Sequence, residues 1–60
     1  MKINKFDVVE LKDGNRATII EAKDKNIYFA EVVNAYGITL DKRDIQEKEI
    51  DKIIYNSKNN

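Results

Sequence analysis

The sequence predicts an all-β fold: a small, strongly bent antiparallel barrel of five short strands, with one short helical turn before the last. Three observations predict it. Three apolar-rich runs, Phe6 to Lys12, Arg16 to Ala22 and Ile27 to Val33, are each of strand length. Two tight polar turns, Asp13-Gly14-Asn15 and Lys23-Asp24-Lys25-Asn26, join them. Two further short runs, around Ile38 to Asp41 and Ile53 to Tyr55, remain to close the sheet.

Taken in order, Met1 to Lys5 reads as a frayed entry. The first strand puts Phe6 and Val8 on one parity and Val9 and Leu11 on the other. A change of phase at adjacent valines is the mark of a β-bulge, because an extra residue turns later side chains to the opposite face. Asp13-Gly14 between two β-rich runs is a hairpin signal, since glycine accepts positive φ at no steric cost. In the second strand Ala17 and Ile19 share one face and Thr18, Ile20 and Ala22 the other. Both faces are apolar, so parity does not choose the core side. The third strand also has two apolar parities, but Glu31 interrupts one of them. That favours Tyr28, Ala30 and Val32 as the inward set.

Asn34-Ala35-Tyr36-Gly37 is the third turn, with Gly37 as its positive-φ residue. After it, alternation places Ile38 and Leu40 inside and Thr39 and Asp41 outside. Residues 45–55 are ambiguous. Ile50, Ile53 and Ile54 have the spacing of one helix face, whereas Glu47 with Asp51 and Lys48 with Lys52 are like-charge pairs that oppose a helix. A single helical turn near Glu47 to Ile50 followed by a closing strand fits better, and a longer helix is the alternative.

Sixty residues make one domain, with the core in 6–55 and a mobile polar tail over 56–60. A chain this short buries only about 60 % of its unfolded surface and needs every contribution to its core. With no Cys and no His, it has neither disulfides nor the commonest zinc sites. Eleven basic and eleven acidic residues are interleaved, which is unlike the basic stripe of a protein that neutralises many phosphates. No apolar run approaches the ~18 residues that span a bilayer, and the first residues lack the apolar run of a signal peptide. The expected location is cytoplasmic, with no membrane partner.

One family resemblance runs through nearly the whole chain. It rests on Asp7-Val8-Val9-Glu10-Leu11-Lys12-Asp13-Gly14, on Ala17-Thr18-Ile19-Ile20-Glu21 and on Tyr28-Phe29-Ala30-Glu31-Val32. Asp44-Ile45 and Glu49-Ile50-Asp51-Lys52-Ile53-Ile54 supply a short helical turn and a last strand. The pattern resembles the small bacterial Src-homology-three-like β-barrels, many of them domains of unknown function. The same barrel class contains KOW and Tudor domains, which bind RNA, proteins or modified peptides. Ala17 stands where the KOW motif carries a glycine. The resemblance implies a binding module, and a shared fold does not name what is bound.

No catalytic residue, cofactor or metal site is expected. A nucleophile–base pair of the Ser–His or Cys–His kind is unavailable, because the chain has one Ser, Ser57, and neither His nor Cys. Asp41, Asp44, Glu47, Glu49 and Asp51 lack calcium-loop spacing and alternate with Lys42, Arg43, Lys48 and Lys52, which suits a salt-bridged rim. The expected function is therefore non-catalytic protein–protein binding. Such a module suits a phage or mobile-element accessory protein or an inhibitor of a host factor. Phe29, Tyr36 and Glu31 are the interface candidates: Tyr36 lies in a turn, and Phe29 shares a parity with Glu31. A homodimer through an exposed strand edge is compatible with this reading. The alternative is a KOW- or Tudor-like nucleic-acid-binding domain using Lys12, Arg16, Lys23 and Lys25.

Overall fold

In the computed structural model, which describes residues 2–59, five strands form one sheet. They are β1 (Val8–Leu11), β2 (Arg16–Asp24), β3 (Ile27–Val33), β4 (Thr39–Gln46) and β5 (Ile50–Tyr55). The order is β4-β3-β2-β1-β5, with every neighbouring pair antiparallel. A 3-10 turn, Glu47–Glu49, separates β4 from β5, and a second, Ser57–Asn59, follows β5. The turn-plus-strand reading of residues 45–55 holds, and the longer helix is not formed.

Burial alternates along each inner strand. Val9 and Leu11 of β1, Ala17 and Ile19 of β2, and Tyr28, Ala30 and Val32 of β3 form the core with Ile45 and Ile50. Register explains the set. Val9 pairs with Ala17 and Ala17 with Val32, Tyr28 opposes Ile45, and Leu11 opposes Ile50. Directly opposite residues point to the same face, so one row of side chains crosses the sheet. Glu31 lies on the other face, as its parity indicates.

The ladders are repeatedly interrupted. Ile20 and Lys23 in β2, Leu40 in β4, and Asp51 and Ile54 in β5 each lack a paired partner where the register shifts. Each is an extra residue that bends its strand and increases local twist. The shift between Val8 and Val9 falls at the adjacent valines, and the extra residue, Ile54, is on the partner strand. The bending brings distant turns together. Glu47 N–H donates to Asn26 O (2.8 Å) at the β2–β3 turn, and Lys12 N–H donates to Glu49 O (2.8 Å) just beyond β1. The three-residue turn is thus fastened at both ends to separate parts of the sheet, and Ile45 and Ile50 enter the core on either side of it. Hydrogen bonding does not close the sheet: β4 and β5 are its two edges.

Gly14 and Gly37 have φ of +94° and +82°, as their turns require. Three expectations are corrected. Ile38 and Leu40 are exposed (60 % and 51 %) and do not join the core. Thr39 opposes Val33, the last residue of β3, so Ile38 lies beyond the ladder opposite the turn residue Asn34, and Leu40 is the extra residue between paired Thr39 and Asp41, with no partner across from it. The entry segment is not frayed at Ile3, which packs in the core; Met1 lies outside the described residues. The first strand begins at Val8, because Asn4 to Asp7 forms a turn closed by Asp7 N–H to Asn4 O (3.0 Å). Phe6 occupies that turn at φ +72°. Of the expected tail, Ser57 is bonded to Asp7 and Asn60 lies outside the described residues.

Candidate functional site

The hairpin joining β3 to β4 is built by one asparagine. Asn34 N–H donates to Ile38 O (2.9 Å), and Gly37 N–H donates to Asn34 O (3.0 Å). The Asn34 Oδ1 then accepts from Tyr36 N–H (2.9 Å) and Ile38 N–H (3.0 Å). A side-chain carbonyl in a turn replaces backbone partners that the reversal removes. These bonds leave the loop few ways to rearrange. Tyr36 projects from it with 88 % of its surface exposed, beside Ile38 and Leu40. Three large apolar side chains therefore stand on five consecutive residues of a closed hairpin and its outgoing strand.

Phe29 and Glu31 lie elsewhere. They share the outer face of β3, two residues apart, and Phe29 is half-buried. The Lys23 ammonium lies over the Phe29 ring (5.9 Å to its centroid) and pairs with Asp44 (3.8 Å). Glu31 Oε2 accepts from Thr39 Oγ1 (2.9 Å), which braces the base of the hairpin. Only Tyr36 of the three interface candidates thus stands on the exposed tip. Alternation places Ile38 and Leu40, its companions there, in the core, whereas both are exposed. The signal that locates them is their place immediately after Gly37, where a strand has just emerged from its turn.

The basic candidates do not form one patch along β2. Arg16 opens the strand opposite Val33, with Lys12 in the turn before it, and Lys23 and Lys25 lie towards its other end. Lys12 and Lys25 instead approach different sides of the Glu47–Glu49 turn, where two open depressions share Lys48. Tyr28 anchors that turn from the core side by donating from its hydroxyl to Glu47 Oε1 (3.3 Å). Burial, together with the Glu47 charge and that hydrogen bond, pushes the Tyr28 phenol above its ordinary value of 10.0.

Asp7 is the one charged side chain fully buried among the described residues. Its Oδ2 accepts from Asn4 N–H (2.8 Å), and its Oδ1 accepts from Ser57 N–H (2.8 Å) and Ser57 Oγ (2.9 Å). Burial acts to raise its pKa. The Asn4 and Ser57 hydrogen bonds and the nearby Lys58 charge outweigh burial and hold the carboxyl below its ordinary 3.8. A carboxylate satisfied on both oxygens by its own chain is a structural clamp. No group of three or more potential metal ligands occurs among the described residues. No helix among them is long and apolar enough to cross a membrane.

These features define a small all-β protein with one five-stranded antiparallel sheet, an internally clamped carboxylate and an exposed apolar hairpin tip closed by hydrogen bonds. No family model, curated protein or solved structure with which the chain was compared matches it.

Proposed function

We propose that the chain is a non-catalytic binding module of the Src-homology-three-like barrel type, and that it docks another protein through the β3–β4 tip. The observation that carries this reading is the exposure of Tyr36, Ile38 and Leu40 on a hairpin closed by Asn34. Aromatic and aliphatic anchors presented rigidly are what a small interface depends on. The barrel reading is supported by the repeated bulges and by the Glu47–Glu49 turn, which is bonded to both Asn26 and Lys12. A non-catalytic role is supported by the lack of His and Cys and by the use of Ser57 in the Asp7 clamp.

The test is affinity capture from nuclease-treated host lysate with the native chain and a Tyr36→Ala/Leu40→Ser variant of unchanged melting temperature. One protein held in near-stoichiometric amount by the native chain and lost with the variant is the expected result. Equal retention by both chains would remove the tip from the interface. Capture that disappears on nuclease treatment would favour nucleic-acid binding instead.

A further inference from the structure

The formal charge of zero conceals an asymmetry in how the charges are used. Among the described residues, nearly every carboxylate is engaged by its own chain: only Glu21 and Asp51 of eleven acidic residues lack a hydrogen bond or ion pair. The cations differ. Lys2, Lys12, Arg16, Lys25, Lys42 and Lys48 have no partner of either kind among the described residues.

Three of these unpaired cations converge on the Glu47–Glu49 turn. Lys25 and Lys48 border the depression on one side of it, with Ile27 and Ile50 beneath. Lys12 and Lys48 border the depression on the other side, with Leu11 beneath. All three lysines are exposed. The carboxylates between them are turned to internal bonds. Glu47 takes the Tyr28 hydroxyl, Glu49 takes Gln46 N–H (2.8 Å) and Arg43 (3.5 Å), and Asp13 takes Asn15 N–H (2.9 Å). An incoming anion therefore meets ammonium groups with no internal partner to displace, which lowers the cost of desolvating and orienting them.

We propose that this collar binds an extended acidic peptide segment of a partner protein, with one aliphatic side chain against Ile27. The three ammonium groups without an internal partner, set among carboxylates already held by other bonds, favour a ligand with spaced carboxylates of its own. A peptide suits the site better than a nucleic acid for two reasons. No aromatic side chain lines either depression for a base to stack on. The interspersed Asp13, Glu47 and Glu49 would oppose a continuous phosphate backbone, whereas spaced carboxylates can avoid them. The collar is also distinct from the hairpin tip. The two share no residue, and the Lys25 side of the collar, beside Ile27, lies at the opposite end of β3 from the tip, across seven residues that extend about 20 Å. One module of this kind holds two partner segments at once.

The probe is a fluorescein-labelled nonapeptide with a central isoleucine flanked by aspartate and glutamate, titrated with the full chain and read by fluorescence anisotropy. The expected result is saturable binding that weakens as salt rises. Lys12→Gln, Lys25→Gln and Lys48→Gln should each weaken it roughly twofold to fivefold. Lys42→Gln removes an equally unpaired cation from β4 and should leave it unchanged. Equal weakening by Lys42→Gln would reduce the effect to diffuse attraction and overturn the site. Absence of saturable binding would also overturn it. Displacement of the peptide by an equal or lower concentration of a thymidine oligonucleotide would assign the collar to nucleic acid and overturn the peptide reading.

Discussion

Asp7 and Ser57, fifty positions apart, are joined by two hydrogen bonds on a single carboxylate oxygen, from Ser57 N–H at 2.8 Å and Ser57 Oγ at 2.9 Å. The bonds fasten the segment after β5 to the turn before β1. Edge strand β5 is thereby held at its far end. Ser57 Oγ also lies 2.8 Å from Lys5 O, so the hydroxyl touches both an acidic side chain and a backbone carbonyl.

Removing the hydroxyl alone should be mild. In Ser57→Ala, Asp7 keeps the Asn4 and Ser57 backbone donors, and the expected loss is about 1 kcal/mol. Asp7→Asn should cost more, about 2–3 kcal/mol, because its new amide faces backbone donors that need an acceptor. Urea unfolding of both variants checks the order. A smaller loss for Asp7→Asn than for Ser57→Ala would mean that the carboxylate is not what holds the clamp.

The clamp also fixes a pH response. The Asp7 carboxyl in the folded chain lies below its ordinary 3.8, so the unfolded chain takes up the proton first. The stability it contributes is fully present above that ordinary value and is lost as pH falls through the folded value. The stability gap between the native chain and Asp7→Asn should be constant near neutrality and narrow below about pH 4. Denaturant midpoints across that range test it. A gap that stays unchanged on acidification would contradict the assignment.

Phe6 offers a test in the opposite direction. It lies at φ +72°, a region costly for a residue with a Cβ, and 58 % of its surface is exposed. Little burial is at stake in replacing it. Phe6→Gly should be neutral or stabilising by up to about 1 kcal/mol, as relief of strain outweighs the glycine's chain entropy. Phe6→Val should destabilise, because a β-branched residue tolerates this region least. The Phe6 ring also receives the Lys5 ammonium at 5.2 Å, a contact both variants lose equally. The contrast between them therefore isolates the backbone.

Much of this architecture was legible in the chain because strand patterns are local. Glu31 gave the face of β3, and Gly14 and Gly37 gave the turns. The inward face of β2 was not legible. Its two apolar parities reflect the extra residue Ile20, which places Ile20 and Glu21 in succession outside the ladder's alternation. The clamp could not be read either, because nothing in the sequence links Asp7 to a serine fifty residues on. Within the candidate site, Tyr36 was found from its turn, while Ile38 and Leu40 were hidden. Alternation names a face of a strand, but burial depends on where the opposite strand ends. For Ile38 that end is set by Thr39 opposite Val33, and for Leu40 the shift between Thr39 and Asp41 removes the partner across the ladder.

The same strand supplies the sharpest check on that register. Leu40 and Ile45 are similar in size, and both lie on β4. Leu40 is the unpaired residue at the shift, 51 % exposed, whereas Ile45 opposes Tyr28 and is 1 % exposed. Ile45→Ala should cost about 2–4 kcal/mol through lost burial and the cavity left beside Tyr28. Leu40→Ser should change stability by no more than about 0.5 kcal/mol. Thermal or urea unfolding of the pair measures the difference directly. Comparable losses would put Leu40 in the core and slide β4 along β3, which would also dismantle the apolar tip. A large difference would fix the register and leave Leu40 free to serve a partner.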